Sequence, residues 1–248
     1  MQALEALESG AAKLGLALSP AQLDLFGRYQ ALLLEWNRRL SLLAVTGPAE
    51  LQLRHFLDAL SCSRATGDLN GQRLADVGSG AGLPGIPLKI LYPDLRLTLI
   101  ESVRKKAAFL EAAAAELALT DVSVLAERAE AVGRDPAHRE GYDWAVARAV
   151  AGLPALVEYL LPLAAVGGHA LAMKGPAVTE EVAAAERAIR LLGGGEGELL
   201  PLALPAQAGS GLESETMRSA FLVVIDKVNP TPAAYPRRVG LPAKRPLR

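Results

Sequence analysis

The sequence predicts an α/β fold with a mostly parallel sheet, preceded by a purely helical segment. Three observations carry that prediction. Short apolar runs alternate with helical patterns between residues 71 and 228, and alternation at that spacing means βαβ units. The first apolar run leads directly into a loop with glycines at 78, 80, 82 and 85, where sheets of this class bind ligands. Before residue 67 the apolar side chains recur at helical spacing.

The elements follow in order. Leu4, Leu7, Leu14 and Leu16 form a loose amphipathic stripe. Ser19-Pro20 is a helix start, with Ser as cap and Pro in the first helical position. That helix runs to about residue 40, with Leu23, Phe26, Tyr29, Leu33 and Trp36 at helical spacing. Gly47-Pro48 breaks the chain, and a third helix is expected over residues 49–65. Gly67-Asp68-Leu69-Asn70-Gly71 is a turn cluster and the expected boundary. Beyond it, strands are expected over 73–77, 95–100, 122–126, 144–147, 169–173 and 221–228. Helices are expected over 86–92, 103–119, 153–165 and 179–192. Gly193-Gly194-Gly195 and residues 206–211 read as turn-rich connectors. The tail from Asn229 holds five prolines and reads as lacking regular structure. The chain thus divides into a helical cap (1–69), an α/β domain (70–228) and a tail (229–248).

Composition narrows the class. The 248 residues are 51% hydrophobic, enough for a sizeable core and too many for a disordered chain. One cysteine, Cys62, makes no internal disulfide. The first ten residues hold two glutamates and no basic residue, unlike a signal peptide. No run approaches the ~18 uninterrupted apolar residues of a membrane span. A soluble, cytoplasmic protein without a membrane partner is expected, with a monomer as the working state. The 26 Lys+Arg and 27 Asp+Glu give a net charge of -1, which conceals an asymmetry. Residues 227–248 carry six basic residues and no acid, leaving a balance of -7 for the first 226.

The loop Asp76-Val-Gly78-Ser-Gly80-Ala-Gly82-Leu-Pro84-Gly85 is the most specific signal. A dinucleotide fingerprint wants Gly-x-Gly-x-x-Gly. Counted from Gly78 the third glycine falls on Leu83; counted from Gly80 it falls on Gly85, with Gly82 as an extra. A phosphate-cradling loop wants Lys-Ser/Thr at its end, and no lysine comes before Lys89. The spacing acid-x-Gly-x-Gly-x-Gly is similar to the first motif of S-adenosylmethionine-dependent methyltransferases. That cofactor has no phosphate, and its sulfonium and ammonium tolerate an acid such as Asp76. A ribose diol needs a carboxylate about 20 residues downstream, and Glu101 ends the second expected strand 23 residues after Gly78. Glu127-Arg128-Ala129-Glu130 follows the third, where such folds place an adenine-contacting acid.

Absences narrow the acceptor. The fourth strand is followed by Arg148-Ala-Val150, not by the Asp/Asn-Pro-Pro-aromatic motif of enzymes that methylate exocyclic amines. Cytosine-C5 transfer needs a thiol nucleophile, and Cys62 lies in the helical segment, remote from the strand ends. His55, His138 and His169 stand far apart, so no metal cluster is suggested. An acceptor with its own lone pair, such as a purine ring nitrogen, needs alignment and a dry pocket but no base.

These residues bring a family into view. Trp36-Asn37, Arg54-His55-x-x-Asp58-Ala-Leu60, the loop from Asp76 through Pro87, Arg104-Lys105-Lys106-x-x-Phe109-Leu110, Arg148-Ala149, Lys174-Gly175 and Tyr235-Pro236-Arg237-Arg238-x-Gly240 together resemble the RsmG (GidB) family. These are bacterial guanine-N7 methyltransferases of 16S rRNA. The resemblance spans nearly the whole chain. It implies a Rossmann-like class I S-adenosylmethionine-dependent methyltransferase fold with a seven-stranded sheet behind an N-terminal helical extension. It implies methylation of guanine 527, in the 530-loop region. It implies cofactor contacts at Gly78, Leu83, Glu101, Ser102, Val103, Ala129, Glu130 and Arg148, beside the loop residues Asp76, Gly80 and Gly82. One departure stands out: the family usually has Asn-Leu-Thr after Trp-Asn, and this chain has Ser41-Leu42-Leu43.

Other residues have open roles. Arg54, His55 and Asp58 lie on one helix, either docking it onto the α/β domain or walling a pocket near the base. Arg148 and Lys174 sit at strand ends facing the ligand, and with His55 and Asp58 they are the catalytic candidates. Arg54, Lys174, Arg237, Arg238, Lys244 and Arg245 are the expected RNA-phosphate contacts. The partner is 16S rRNA or the small ribosomal subunit, an assembly intermediate included. Two rival readings stand beside this one: a small-molecule methyltransferase, which a basic tail disfavours, and a nucleotide-binding redox or regulatory protein, which the loop spacing disfavours.

Overall fold

A computed structural model describes residues 4–44, 47–205 and 217–247. Helices α1 (Glu5–Lys13) and α2 (Pro20–Leu40) open the chain. Ser19 caps α2 as expected. Its hydroxyl accepts the Gln22 N–H at 3.3 Å, and Gln22 Oε1 accepts the Ser19 N–H at 2.8 Å, a closed capping box. The expected third helix is not continuous. It divides into α3 (Pro48–Leu51), a π-helical turn (Gln52–Phe56), α4 (Leu57–Leu60) and α5 (Ser63–Thr66). The apolar spacing there is ordinary, so the widened turn leaves no mark in the sequence. Buried Gln52 lies at its start, donating to Gln30 Oε1 at 3.0 Å and accepting the Leu7 N–H at 3.3 Å. Such turns gather at functional sites.

The sheet follows: β1 (Arg73–Val77), α6 (Gly85–Leu91), β2 (Arg96–Ile100), α7 (Arg104–Glu116), β3 (Val122–Leu125), α8 (Ala129–Val132), β4 (Tyr142–Arg148), α9 (Leu153–Leu160), β5 (Ala164–Lys174), α10 (Val178–Leu191), β6 (Gly194–Pro205) and β7 (Met217–Lys227). The strand order is β3-β2-β1-β4-β5-β7-β6, parallel except that β7 runs antiparallel to both β5 and β6. Strand β6 corrects the reading of the apolar runs, which placed six strands and took Gly193-Gly194-Gly195 as a connector; it is the seventh strand that the resemblance implies. Its glycines and Pro201 and Pro205 read as breakers, but β6 is the sheet edge, where a strand tolerates proline. The connector expected over 206–211 lies outside the described residues. Side chains of the central strands alternate between two cores. Leu74, Leu97, Leu99, Val146 and Leu171 pack with α2, α6 and α7. Ala75, Val77, Ala145, Ala147 and Ala172 pack with α9 and α10.

The tail also departs from expectation. Residues 229–247 pack onto the sheet domain and include a short helix, α11 (Leu241–Lys244). Arg139 donates to the carbonyl oxygens of Thr231 at 2.6 Å and Tyr235 at 2.7 Å, and Arg134 Nε to that of Pro236 at 2.6 Å. Arg237, expected on RNA phosphate, is turned inward. Its Nη2 lies 2.6 Å from Glu158 Oε2, and Glu158 is fully buried. Lys227 is buried as well, donating to the Leu161 and Leu192 carbonyls at 2.9 Å each. Arg238, Lys244 and Arg245 remain exposed.

Candidate active site

The register places the site. Val77 pairs with Ile100 on one side and Ala147 on the other, and Arg148 pairs with Met173. The residues that leave the sheet next (Gly78, Glu101, Arg148 and Lys174) therefore come out side by side at one edge. The strand order reverses between β1 and β4, so their loops diverge and open the crevice where such sheets bind ligands. Because β7 is antiparallel, its first residues, Arg218 among them, begin at that same edge.

Three glycines let the loop after β1 turn back on itself: Gly78, Gly80 and Gly82 have φ of 70°, 57° and 82°. A Cβ on Gly82 would stand 2.4 Å from Ile86 Cδ1 and 2.9 Å from the Tyr29 hydroxyl. One on Gly78 would stand 2.6 Å from Val150 Cγ2. Position 80 faces open space; a Cβ there meets only the Gly78 carbonyl oxygen, at 3.7 Å. The Tyr29 hydroxyl donates to the Ala81 carbonyl, tying α2 to the loop.

Asp76 does not reach the cavity. It is fully buried, and its Oδ2 accepts the Gly85 N–H at 2.9 Å. Burial pushes its carboxyl up to about 7, against the pull of the Gly85 N–H and Arg148. It therefore braces the loop rather than facing a sulfonium. Glu101 is 6% exposed; Oε2 accepts the Gly80 N–H at 3.0 Å and Oε1 the Val103 N–H at 2.7 Å. Each oxygen keeps a further acceptor site. Beside it Val103 is 47% exposed, an apolar shelf at the end of β2. Glu130, the expected adenine-contacting acid, turns the other way. It is 4% exposed and its Oε1 accepts the Gly240 N–H of the tail at 2.8 Å, so only the backbone of Ala129 and Glu130 stays at the β3 end.

A cavity of about 580 Å³ opens over the loop on the β4–β5 side. It brings together Gly78, Gly80, Leu83, Arg148 and Lys174 from the sheet and Arg54, His55 and Asp58 from the cap. Glu101, Ser102, Val103, Ala129 and Glu130 are not in its lining. Asp58 joins the two parts of the wall: Oδ2 lies 3.4 Å from Arg148 Nη1 and Oδ1 2.8 Å from Arg218 Nη2. Thus docking and pocket wall, the two roles left open for this helix, coincide. His55 is driven down to about 4, first by burial and then by Arg148, so its ring is neutral at physiological pH. Lys174 Nζ donates to Glu181 Oε2 and the Ala151 carbonyl, both at 2.7 Å, which engages two of its three N–H groups among the described residues. Arg54 pairs with Glu50 at 2.7 Å on an exposed face. Cys62 is buried, outside the cavity lining, and burial pushes its thiol well above its usual range. Sequence reasoning missed Arg218, because β7 was expected to start at 221, and Tyr29, which read as helix core. Of Ser41-Leu42-Leu43, the two leucines form part of the rim: Asn37 grips Leu43 through both its backbone N–H, at 2.8 Å, and its carbonyl, at 2.9 Å.

The donor set suits S-adenosylmethionine. The loop presents an open backbone face at Gly80, Glu101 has acceptor sites left for a diol, and no cation stands in the loop where a phosphate would require one. Among the described residues, no cluster of three or more His, Cys, Asp or Glu is placed to hold a metal ion.

Solved structures share the architecture. An S-adenosylmethionine-dependent O-methyltransferase from Thermotoga maritima superposes with a TM-score of 0.52 at 14% identity, covering 79% of this chain and 71% of that one. A branched-chain polyamine synthase from Thermus thermophilus gives 0.54 at 16% identity, over 83% and 65%. The fold is thus the Rossmann-like one of class I methyltransferases. Sequence comparison is more specific. Proteins named Ribosomal RNA small subunit methyltransferase G from Roseiflexus castenholzii and Alkaliphilus metalliredigens are 54% and 42% identical to this chain. The first alignment covers 94% of this chain and 95% of the relative, the second the whole of both. Residues 22–203 match the family model of rRNA small subunit methyltransferase G, GidB. The chain belongs to that family.

Proposed function

We propose that this protein transfers a methyl group from S-adenosylmethionine to N7 of a guanine in 16S rRNA, at the position the family resemblance implies, guanine 527. The observation that carries the choice of acceptor is the chemistry of the cavity wall. Among the described residues it offers one carboxylate, held by two arginines, and one neutral histidine; the buried thiol stands elsewhere. Among the described residues of the wall the carboxylate is taken up by its arginines and the His55 ring, held near 4, is a weak base, so the acceptor brings its own lone pair, as N7 does.

The cofactor supplies an electrophilic methyl group on a sulfonium. The chain's residues do the rest. Glu101 fixes the loop through Gly80 and has acceptor sites for a ribose. Asp76 holds the loop's far end at Gly85. The cap residues Leu42, Leu43 and His55 close the cavity opposite the loop and exclude water from the transfer.

RNA affinity is assigned to the cavity mouth as well as to the tail. Helix α7 starts with Arg104, Lys105 and Lys106 and has no acid in its first turn. Cations there oppose the helix dipole, so folding alone gives no reason for them, whereas phosphate contact does. Arg54 and Lys174 line the same cavity, and Arg238, Lys244 and Arg245 extend the surface. The partner is the small-subunit rRNA, free or in an assembling particle, in the cytoplasm. Mass mapping of 16S rRNA from cells with and without this protein tests the reading. Loss of one N7-methylguanine at that position is expected; an unchanged modification map would refute it.

A further inference from the structure

Methylation at N7 leaves a purine with a positive charge spread over its five-membered ring, and a site for that reaction is complementary to charge that grows during transfer. The cavity is otherwise the wrong sign: Arg54, Lys106, Arg148, Lys174 and Arg218 all line it. Among the described residues Asp58 is the one carboxylate in the lining, reaching in from the cap. Its two arginine partners each take one acceptor site, one per oxygen, and a carboxylate oxygen has another. Two further polar atoms of the same wall are buried without a hydrogen-bond partner among the described residues, Arg218 Nε and His55 Nδ1. Unsatisfied buried groups are costly; here a donor and a neutral ring nitrogen belong to side chains that line the same cavity as the carboxylate.

We infer that Asp58, clamped between Arg148 and Arg218, reads the target base, accepting the N1–H and N2–H of guanine while the Arg218 Nε–H meets O6. The inference rests on the guanine-N7 reading above. The pattern of two adjacent donors and one acceptor belongs to guanine; adenine offers an acceptor at N1 and a C–H at position 2. The contact also acts on rate. As N7 gains its methyl group the N1–H becomes more acidic, so its bond to the carboxylate strengthens in the transition state and the negative charge of Asp58 offsets the growing ring charge. His55 adds no opposing charge, because its ring stays neutral.

The test uses an RNA that the wild-type protein methylates, remade with inosine or 7-deazaguanine at the target position. Inosine lacks the N2 amino group and keeps N1–H and O6. Wild type should prefer guanine to inosine by about tenfold to a hundredfold in kcat/KM, and Asp58→Asn should shrink that preference to about threefold or less. A variant too slow to assay is read as a ratio of RNA affinities with S-adenosylhomocysteine bound. A merely structural Asp58 would lower both substrates alike, so a full preference retained by Asp58→Asn overturns the inference, as does a wild type without preference. Arg218→Lys keeps the ion pair and should slow both substrates equally; a collapsed preference in that variant alone would also overturn it. Methylation of 7-deazaguanine by the wild type refutes the N7 reading itself, independently of Asp58.

Discussion

Asp76 and Glu101 show how two acids in one loop do different work. Asp76 is fully buried, with Oδ1 lacking a partner among the described residues, and its carboxyl titrates near 7 instead of near 3.8. The folded state therefore holds its proton more tightly than the unfolded chain. That contribution to stability is fully present below pH ~4 and is lost as pH rises through about 7. Asp76→Asn removes the titration. Urea melts at pH 5 and pH 8 should show wild type losing stability relative to this variant, by on the order of a few kcal/mol; equal shifts in both proteins would contradict the assignment. Glu101 instead holds Gly80 and Val103 with one lone pair on each oxygen and has one more on each to offer. Glu101→Ala should weaken S-adenosylmethionine binding in calorimetry by about 1–3 kcal/mol. Affinity unchanged from wild type would show that the carboxylate serves the loop alone.

At the scale of the element, the glycine loop is set by space as much as by dihedral angle. Gly82 has φ 82°, and a Cβ there meets Ile86 and Tyr29 below 3 Å. Gly82→Ala should cost about 1–3 kcal/mol of stability and lower cofactor affinity with it, read by thermal melts with and without cofactor. That loop, the strands before and after it and the capped start of α2 were all legible, because glycine spacing, apolar runs and Ser-Pro are local signals. Strand β6 was not, since an edge strand carries glycine and proline that in a central strand would forbid it. The π-helical turn at Gln52–Phe56 was hidden for a different reason: it opens on a buried amide bonded to residues 22 and 45 positions away, which no local pattern records. The site was half legible. Asp76, Glu101 and Arg148 follow the sheet register, whereas the pairing of Asp58 with Arg218 spans 160 residues and leaves no local trace. Nor could composition tell that Glu130 would turn to the tail.

For the whole molecule, the charge asymmetry of the sequence resolves into two kinds of arginine and lysine. Lys227 and Arg237 are structural, the second against a fully buried Glu158. Arg237→Ala leaves that carboxylate unpaired and should destabilise the fold by about 3 kcal/mol or more, which chemical denaturation would measure; a variant as stable as wild type with weakened RNA binding would restore the phosphate role. Arg104 and Lys105 are exposed and oppose their own helix dipole. Replacing both with alanine should leave stability unchanged or raised, and reduce the slope of log affinity for RNA against log salt by about 2. An unaltered slope would move the RNA footprint away from the cavity mouth. The pairing of Arg237 with Glu158 has a further consequence for how the chain comes to be folded. Glu158 meets its partner 79 residues later, beyond the last strand of the sheet. During synthesis its carboxylate waits without a counter-charge while everything from α9 to β7 is made, so the sheet domain completes its interior only after residue 237 has followed. A chain cut short at residue 236 is then expected to be an aggregation-prone fragment rather than an enzyme that merely lacks an RNA-binding arm.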